Sequence, residues 1–334
     1  FDPESAETTG EVPSNDGLPP LLWRLRFDLR SATPSDQELL VALVDADPDG
    51  RPRYDAVAMR LANEDDWSYV GEMEWADIAF EARAEEDLRS HLYGSWCKVL
   101  HIDRFAGSLR FYRGEINRLH AYPDAFEDRL TEAIGPWPGE PDRAVAEWWL
   151  DLNQGIDLDT FIEQGERLDR YFDQMTEWVL AEEEVDLLLT YHSSLDVYLH
   201  GSLIVDELQW AYSPGRALAA REGLKRMGRS IDRSAASLWN TLDPEKDALV
   251  VVSDHGQLPI FEVVRPNRAL ADAGLVRVVE EGGRSRAAAD TPMVAVTSGA
   301  MIHLYLNLSG REPGGAVTCL LYTSDAADDQ GLVL

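Results

Sequence analysis

One apolar run that ends abruptly in polar residues constrains the fold more than any other feature of the chain. Residues 248–252 (Ala-Leu-Val-Val-Val) are mostly β-branched, and Ser253, Asp254, His255 and Gly256 follow at once. A continuous hydrophobic run is typical of a parallel strand that is buried on both faces. In open α/β sheets, ligands bind beyond the carboxyl ends of such strands. The run therefore predicts a buried strand that delivers two metal-type ligands, Asp254 and His255, to the edge of a sheet.

A second apolar run has the same design about sixty residues earlier in the chain. Residues 185–191 (Val-Asp-Leu-Leu-Leu-Thr-Tyr) predict another short strand, and Asp196 and His200 follow it. If the chain turns into a helix there, a spacing of four residues places both side chains on one face. Carboxylates and imidazoles are ligands that suit Zn²⁺, with Mn²⁺ or Fe as competitors. The two strand ends together predict a metal site.

Three motifs together resemble the alkaline phosphatase superfamily, and specifically its type I phosphodiesterase/nucleotide pyrophosphatase family. They are the Ser253–Gly256 motif, the pair of Asp196 and His200, and the later segment 304–315. The resemblance is specific over residues 186–315 and diffuse before them. It implies an α/β fold, with a partial alkaline-phosphatase-like sheet that has helices on both faces, plus a β-rich cap or insert domain.

The resemblance also implies roles for the four ligands and a reaction. Asp196 and His200 would hold one zinc, which activates the attacking water, and Asp254 and His255 would hold the other, which activates a hydroxyl nucleophile. Two divalent ions, zinc or alternatively manganese, would then assist displacement at phosphorus. The implied substrate is a small phosphodiester or pyrophosphate.

Two parts of the family's site match no position in this chain, and a third part has only a candidate residue. The family uses an N-terminal Asp and a Thr or Ser nucleophile, and neither matches a position here. A third His completes the first zinc in the family. His303 is a candidate for that ligand, and His192 is a candidate for lining the site.

The ends of the sequence offer an explanation for the missing nucleophile. The chain opens at Phe1 with a polar stretch to Pro20, so we interpret it as a fragment without the N-terminal part of the catalytic domain. Residues 319–334 resemble a translated sequencing adapter, and a natural acidic tail is the alternative. We expect residues 1–318 to bind metal weakly and to hydrolyse nothing.

Periodicity, together with the family resemblance and the composition of the two ends, divides the chain into four parts. We predict a polar lead-in (1–20), a β-rich cap or insert with alternating short strands (21–122), an incomplete α/β metal-binding core (123–318) and the non-native tail (319–334). Helices are predicted over 125–134 and 142–152, from about Asp159 with Asp157 or Asp159 as the cap, and after Pro214. The last of these is rich in Arg, which we expect to pair with surface acids; contact with a substrate phosphate is the alternative.

Charge and cysteine content exclude several classes of function. Lys and Arg number 30 against 61 Asp and Glu, a net charge of −31 that opposes binding to nucleic acid or anionic membranes. No apolar run is as long as a membrane span requires. Without the tail, Cys97 is the one cysteine, so we predict a small buried side chain and no disulfide. The compartment stays open, with the cytoplasm favoured, and the oligomeric state cannot be read.

Two alternatives to a phosphodiesterase remain. A phosphatase, sulfatase or phosphonate hydrolase of the same superfamily would share the four ligands. A non-catalytic metal-binding pseudoenzyme would bind metal without any nucleophile.

Overall fold

The computed structural model describes residues 1, 5–8, 12–26, 38–83, 89–142, 155–281, 284–299 and 301–318. The chain divides into two units, Phe1–Pro259 and Ile260–Leu334. The helix predicted over 142–152 and the tail 319–334 lie outside the described residues, apart from Asp142.

Two antiparallel sheets form the N-terminal half of the first unit. The first has the strand order β1 (Glu7–Thr8), β2 (Leu21–Arg26), β3 (Glu38–Val44), β4 (Ala56–Leu61) and β5 (Ser68–Gly71). In the second, β6 (Trp75–Arg83), β7 (Ser90–Ile102) and β8 (Leu109–Arg113) are neighbours in that order, and β9 (Asn117–Arg118) pairs with β7. The β-rich portion predicted from alternating patterns is therefore present.

A shared hydrophobic core joins the two sheets. Val41 and Val57 of the first sheet pack in one cluster with Phe80, Cys97 and Val99 of the second. Cys97 is fully buried, as predicted, and burial raises the pKa of its thiol. The sequence-based list of strands did not include β6, but its residues alternate between buried and exposed, as in the half-exposed sheet predicted for this part of the chain.

Strand β3 departs from the predicted half-exposed sheet. Nearly all of its residues are buried. The face of β3 that points away from the second sheet is covered by a separate cluster that includes Val12, Leu22 and, partly buried, Trp67. Val12 of the lead-in and Trp67 of the loop before β5 thus cover this second face of β3, which the alternation rule did not anticipate.

Helices cover the other face of the second sheet. They are α1 (Asp124–Ile134), α2 (Leu158–Glu182), α3 (Ser194–Ser202) and α4 (Pro214–Thr241). The cap predicted for α2 is confirmed, because the Asp157 carboxylate accepts a hydrogen bond from the Thr160 backbone N–H at 2.7 Å. Tyr112 of β8 packs with Phe161 of α2, Tyr198 of α3 and Met227 of α4 in one cluster.

The two segments predicted as buried parallel strands do not form strands. Residues 185–191 and 248–252 carry no helix or strand assignment and pair with no strand among the described residues. Their apolar side chains face solvent: Leu189 is 84% exposed and Val252 is 83% exposed. A parallel strand needs neighbours on both edges and cover on both faces. An apolar run indicates that a segment is suited to burial, but it does not show which other segment would cover it.

The second unit contains a short helix and two hairpins. Helix α5 spans Pro266–Asp272; β10 (Val278–Glu281) pairs with β11 (Arg284–Ala287), and β12 (Met293–Ser298) pairs with β13 (Met301–Leu306). The Asn267 side chain fastens α5 to β12, because it donates to the Ala295 carbonyl at 2.7 Å and accepts from the Ala295 N–H at 2.8 Å.

The architecture is thus an α/β fold with a β-rich portion, as the sequence predicted. Its named sheets are antiparallel. The domain boundary predicted at residues 122 and 123 stays a prediction. None of the helices in the described part of the chain combines the length and the apolar character needed to cross a membrane.

Candidate functional site

Helix α3 carries the first pair of predicted ligands. Asp196 lies in its first turn and His200 in its last, and the Asp196 Oδ2 to His200 Nε2 distance is 3.4 Å. The prediction that a spacing of four residues places both groups on one helix face is confirmed. Asp196 is 29% exposed and His200 is 45% exposed, so solvent reaches both side chains.

The second pair lies in the segment after α4. The Asp254 Oδ1 accepts a hydrogen bond from the His255 backbone N–H at 3.0 Å. The His255 Nδ1 is 3.1 Å from the Gly256 carbonyl oxygen. In the tautomer in which Nδ1 donates to this carbonyl, Nε2 is the nitrogen left to bind a ligand. That Nε2 is 3.4 Å from Asp254 Oδ2.

Asp196 brings the two pairs together. Its Oδ1 is 3.9 Å from His255 Nε2 and also accepts a hydrogen bond from Gln257 Nε2 at 2.5 Å. Residues that lie more than fifty positions apart in the sequence thus form one carboxylate–imidazole cluster. The cluster comprises Asp196, His200, Asp254 and His255, and the name is used below for these four residues.

The cluster has the donor chemistry of a divalent-metal site. Two carboxylates and two imidazoles suit Zn²⁺, and the same donors also suit Mn²⁺. The Gly256 carbonyl orients the His255 ring as second-shell partners orient metal-binding His residues. The side chains pair with one another, and among the described residues no three acidic, His or Cys side chains are arranged around a common ion position.

Tyr191 and Gln257 contact or face the cluster, and the sequence-based reasoning did not assign them. Desolvation raises the pKa of Tyr191, and the negative charges of Asp254 and Asp196 raise it further. Gln257 holds Asp196 directly. Both residues flank the predicted ligands in sequence, since Tyr191 ends one apolar run and Gln257 follows the second motif. That proximity was the one available signal.

The two additional His candidates have different surroundings. His192 lies against α2, with its Nδ1 3.4 Å from Asp169 Oδ1 and its Nε2 3.9 Å from Asp173 Oδ1. His303 lies on β13 in the second unit, opposite Val296 of β12. Their roles as a site-lining group and a third ligand stay predictions.

The basic helix α4 makes the surface ion pairs expected of it. Arg226 binds Glu166 of α2 at 2.7 Å and Asp159 at 3.3 Å, and Arg233 lies 3.8 Å from Glu166. These contacts give part of the positive charge on α4 a structural role. Contact of its other Arg residues with a phosphate stays a prediction.

Asp173 of α2 is partly buried beside His192 and Ser234. Burial raises its pKa above 3.8, and the negative charges of Asp169 and Glu177 add to the rise. A hydrogen bond from Ser234 and the charge of His192 oppose it. Because the folded pKa exceeds the unfolded one, the folded state binds the proton more tightly. The stability contribution of Asp173 is therefore lost as the pH rises from the ordinary carboxyl pKa through the raised pKa of the folded state.

We expect Asp173→Asn to be more stable than the wild-type chain at neutral pH, by less than about 1 kcal/mol because solvent screens a partly exposed group. Asn is neutral at every pH and can still accept the Ser234 hydrogen bond. The difference in unfolding free energy should shrink as the pH falls through the ordinary carboxyl pKa. Urea denaturation of both proteins at neutral and acidic pH checks this, and a difference that grows on acidification would contradict it.

The comparison with family models decides the classification. Residues 53–316 match the model of the family described as type I phosphodiesterase / nucleotide pyrophosphatase. The chain belongs to this family. No curated protein and no solved structure matches the chain. The matched range contains the carboxylate–imidazole cluster, α2, α3 and α4, so the resemblance based on the three motifs is confirmed. A phosphodiesterase or pyrophosphatase type of hydrolase is the activity class that this family supports.

Proposed function

We propose that the carboxylate–imidazole cluster is a two-metal centre for the hydrolysis of small phosphodiesters or pyrophosphates. The observation that carries the proposal is the position of Asp196, which lies 3.4 Å from His200 on its own helix and 3.9 Å from His255 of the other motif. Two carboxylates and two imidazoles at a partly exposed position are donors that suit a divalent metal ion.

The proposed ligand sets follow the two pairs. Asp196 and His200 would hold one divalent ion, and Asp254 and His255 would hold the second. When bound, two such ions lower the pKa of a coordinated water and stabilise charge on the attacking and leaving oxygens. Zn²⁺ is the favoured ion, and Mn²⁺ suits the same donors.

The residues of this chain hold and orient groups in the proposed mechanism. The Gly256 carbonyl would accept a hydrogen bond from His255 Nδ1, which would leave Nε2 of that ring as the metal-binding atom. Gln257 holds one oxygen of Asp196, which limits rotation of that carboxylate. We propose a Thr or Ser hydroxyl as the nucleophile, and none of the four ligands supplies that chemistry.

Net charge restricts the substrate. A charge of −31 repels extended polyanions, so a small ester with one or two phosphates is favoured over nucleic acid. Bound cations would offset the local negative charge of Asp196 and Asp254 and attract the phosphate. Substrate binding is therefore expected to depend on metal.

Metal titration tests the proposal without requiring turnover. Calorimetry with Zn²⁺ should give two sites for the wild-type chain. Removing a second-shell partner typically weakens a metal site about 10- to 100-fold, so loss of a ligand in Asp196→Asn should cost at least that much. Asp254→Asn should weaken one site and spare the other.

Asp232→Asn is the matched control, because Asp232 is an exposed carboxylate on α4. It should bind Zn²⁺ as the wild-type chain does. Equal affinity in Asp196→Asn and Asp232→Asn would contradict the proposed centre. Hydrolysis of a phosphodiester by residues 1–318 that Asp254→Ala abolishes would instead show that the nucleophile lies within this chain.

A further inference from the structure

The first turn of α3 is tied to α2 by a buried hydrogen bond. The Ser194 Oγ donates to Asp169 Oδ1 at 2.6 Å, and both residues are 1% exposed. On the preceding residue, the Ser193 hydroxyl donates to the Glu140 carboxylate at 3.1 Å. Two carboxylates from different parts of the chain therefore hold the start of this short helix.

Asp169 is costly as a purely structural residue. Its Oδ1 receives the Ser194 hydroxyl and faces His192 Nδ1 at 3.4 Å, while its Oδ2 has no hydrogen-bond partner among the described residues. Burying a carboxylate that is incompletely paired destabilises a fold, and apolar replacements at such positions are often neutral or stabilising. The positive end of the α3 dipole offsets only part of this cost. Stability alone does not account for this buried carboxylate.

The helix that Asp169 holds is the one that carries Asp196. Ser194 and Asp196 lie in the same first turn of α3, so a rotation of that turn moves the Asp196 carboxylate. Asp196 is the residue that links the two ligand pairs, through its 3.9 Å approach to His255. A small rotation of the first turn would therefore separate the two halves of the cluster.

We propose that Asp169 is a positioning residue, which acts through Ser194 to set the orientation of Asp196 toward His255. This inference rests on the proposed metal centre. It assigns to a buried acid on α2 the function of preorganising a ligand on α3, as second-shell partners do in metal sites.

Co²⁺ binding, followed by the visible spectrum of the bound ion, tests the inference. Ser194→Ala should weaken Co²⁺ binding about 10- to 100-fold and alter the spectrum, because the ligand geometry changes. Asp169→Ala should do the same. Asp169→Asn keeps an oxygen that accepts the Ser194 hydrogen bond, so it should retain most of the affinity.

Ser234→Ala is the matched control, since the Ser234 hydroxyl donates to Asp173 of α2 at 3.0 Å and binds no residue of α3. It should lose comparable stability and keep wild-type Co²⁺ affinity. Hydrogen exchange without metal gives a second readout: Ser194→Ala, but not Ser234→Ala, should accelerate exchange in the first turn of α3.

Three other outcomes would overturn the inference, each for a different reason. If Asp196→Asn abolishes Co²⁺ binding but Ser194→Ala binds as tightly as wild type, the positioning role fails and the metal centre stands. If Ser194→Ala and Ser234→Ala lose affinity equally, the effect is general destabilisation. If the wild-type chain binds no Co²⁺, or Asp196→Asn binds it normally, the metal centre fails and the positioning role fails with it.

Discussion

Glu163→Ala is expected to destabilise the chain by about 3–5 kcal/mol, the range found when one partner of a buried ion pair is removed. The partner is Lys98 of β7, which is fully buried. Its Nζ donates to Glu163 Oε2 at 2.6 Å and to Thr160 Oγ1 at 3.0 Å, and it lies 5.3 Å from the centre of the Trp75 ring. Without Glu163, the buried ammonium keeps one hydroxyl and one aromatic face.

Removing Lys98 instead of Glu163 should cost less stability, and this asymmetry is the sharper test. Lys98→Met fills similar space with an apolar chain. It leaves Glu163, which is 29% exposed, in reach of water and still accepting the Trp75 N–H at 2.6 Å. We expect a loss of about 1–2 kcal/mol. Urea unfolding followed by tryptophan fluorescence measures both values, and a larger loss in Lys98→Met than in Glu163→Ala would refute the explanation.

Lys98 shows why part of the fold could not be predicted from the sequence. Alternation correctly identified the strand around Trp96 and Val99, because its period is local. The same pattern places Lys98 on the face opposite Cys97 but does not show what covers that face. The cover is α2, and the charge that compensates Lys98 lies 65 residues further along the chain.

The candidate site also has features that the sequence predicted and features that it did not. The shared helix face of Asp196 and His200 was predictable, since four residues make about one helical turn. Their meeting with Asp254 and His255 was also anticipated, although the two strands invoked for it do not form among the described residues. The role of Asp169 was not predictable, because it depends on a contact between α2 and α3, and Gln257 had only its position next to the second motif as a signal.

The apolar runs at 185–191 and 248–252 mark the limit of local inference. Composition predicted both as buried parallel strands, yet Leu189 and Val252 are exposed. Pairing is a property of two segments, whereas hydrophobicity is a property of one. The sequence therefore indicated the need for cover but not its source.

Phe161→Ala is expected to destabilise the chain by about 3–5 kcal/mol, the usual cost of truncating a buried Phe to Ala. Phe161 is 2% exposed and stacks on Tyr198 with ring centres 6.3 Å apart. It packs in the cluster that joins β8, α2, α3 and α4, which includes Met227. Thermal and urea unfolding measure the loss. Phe105→Ala is the control, because Phe105 is 88% exposed, and it should stay within about 0.5 kcal/mol of wild type.

The same substitution should also weaken metal binding, because of where Tyr198 lies. Tyr198 is between Asp196 and His200 on α3, and its hydroxyl donates to the Ala220 carbonyl of α4 at 2.7 Å. Removing the Phe161 ring frees one side of Tyr198, so α3 can shift against α2 and separate the ligand pairs. Glu163→Ala disturbs the contact between α2 and the sheet instead. If the packing around Tyr198 positions the ligands, Phe161→Ala should lose more Zn²⁺ affinity than Glu163→Ala at equal loss of stability. Equal losses of affinity would mean that metal binding follows global stability alone.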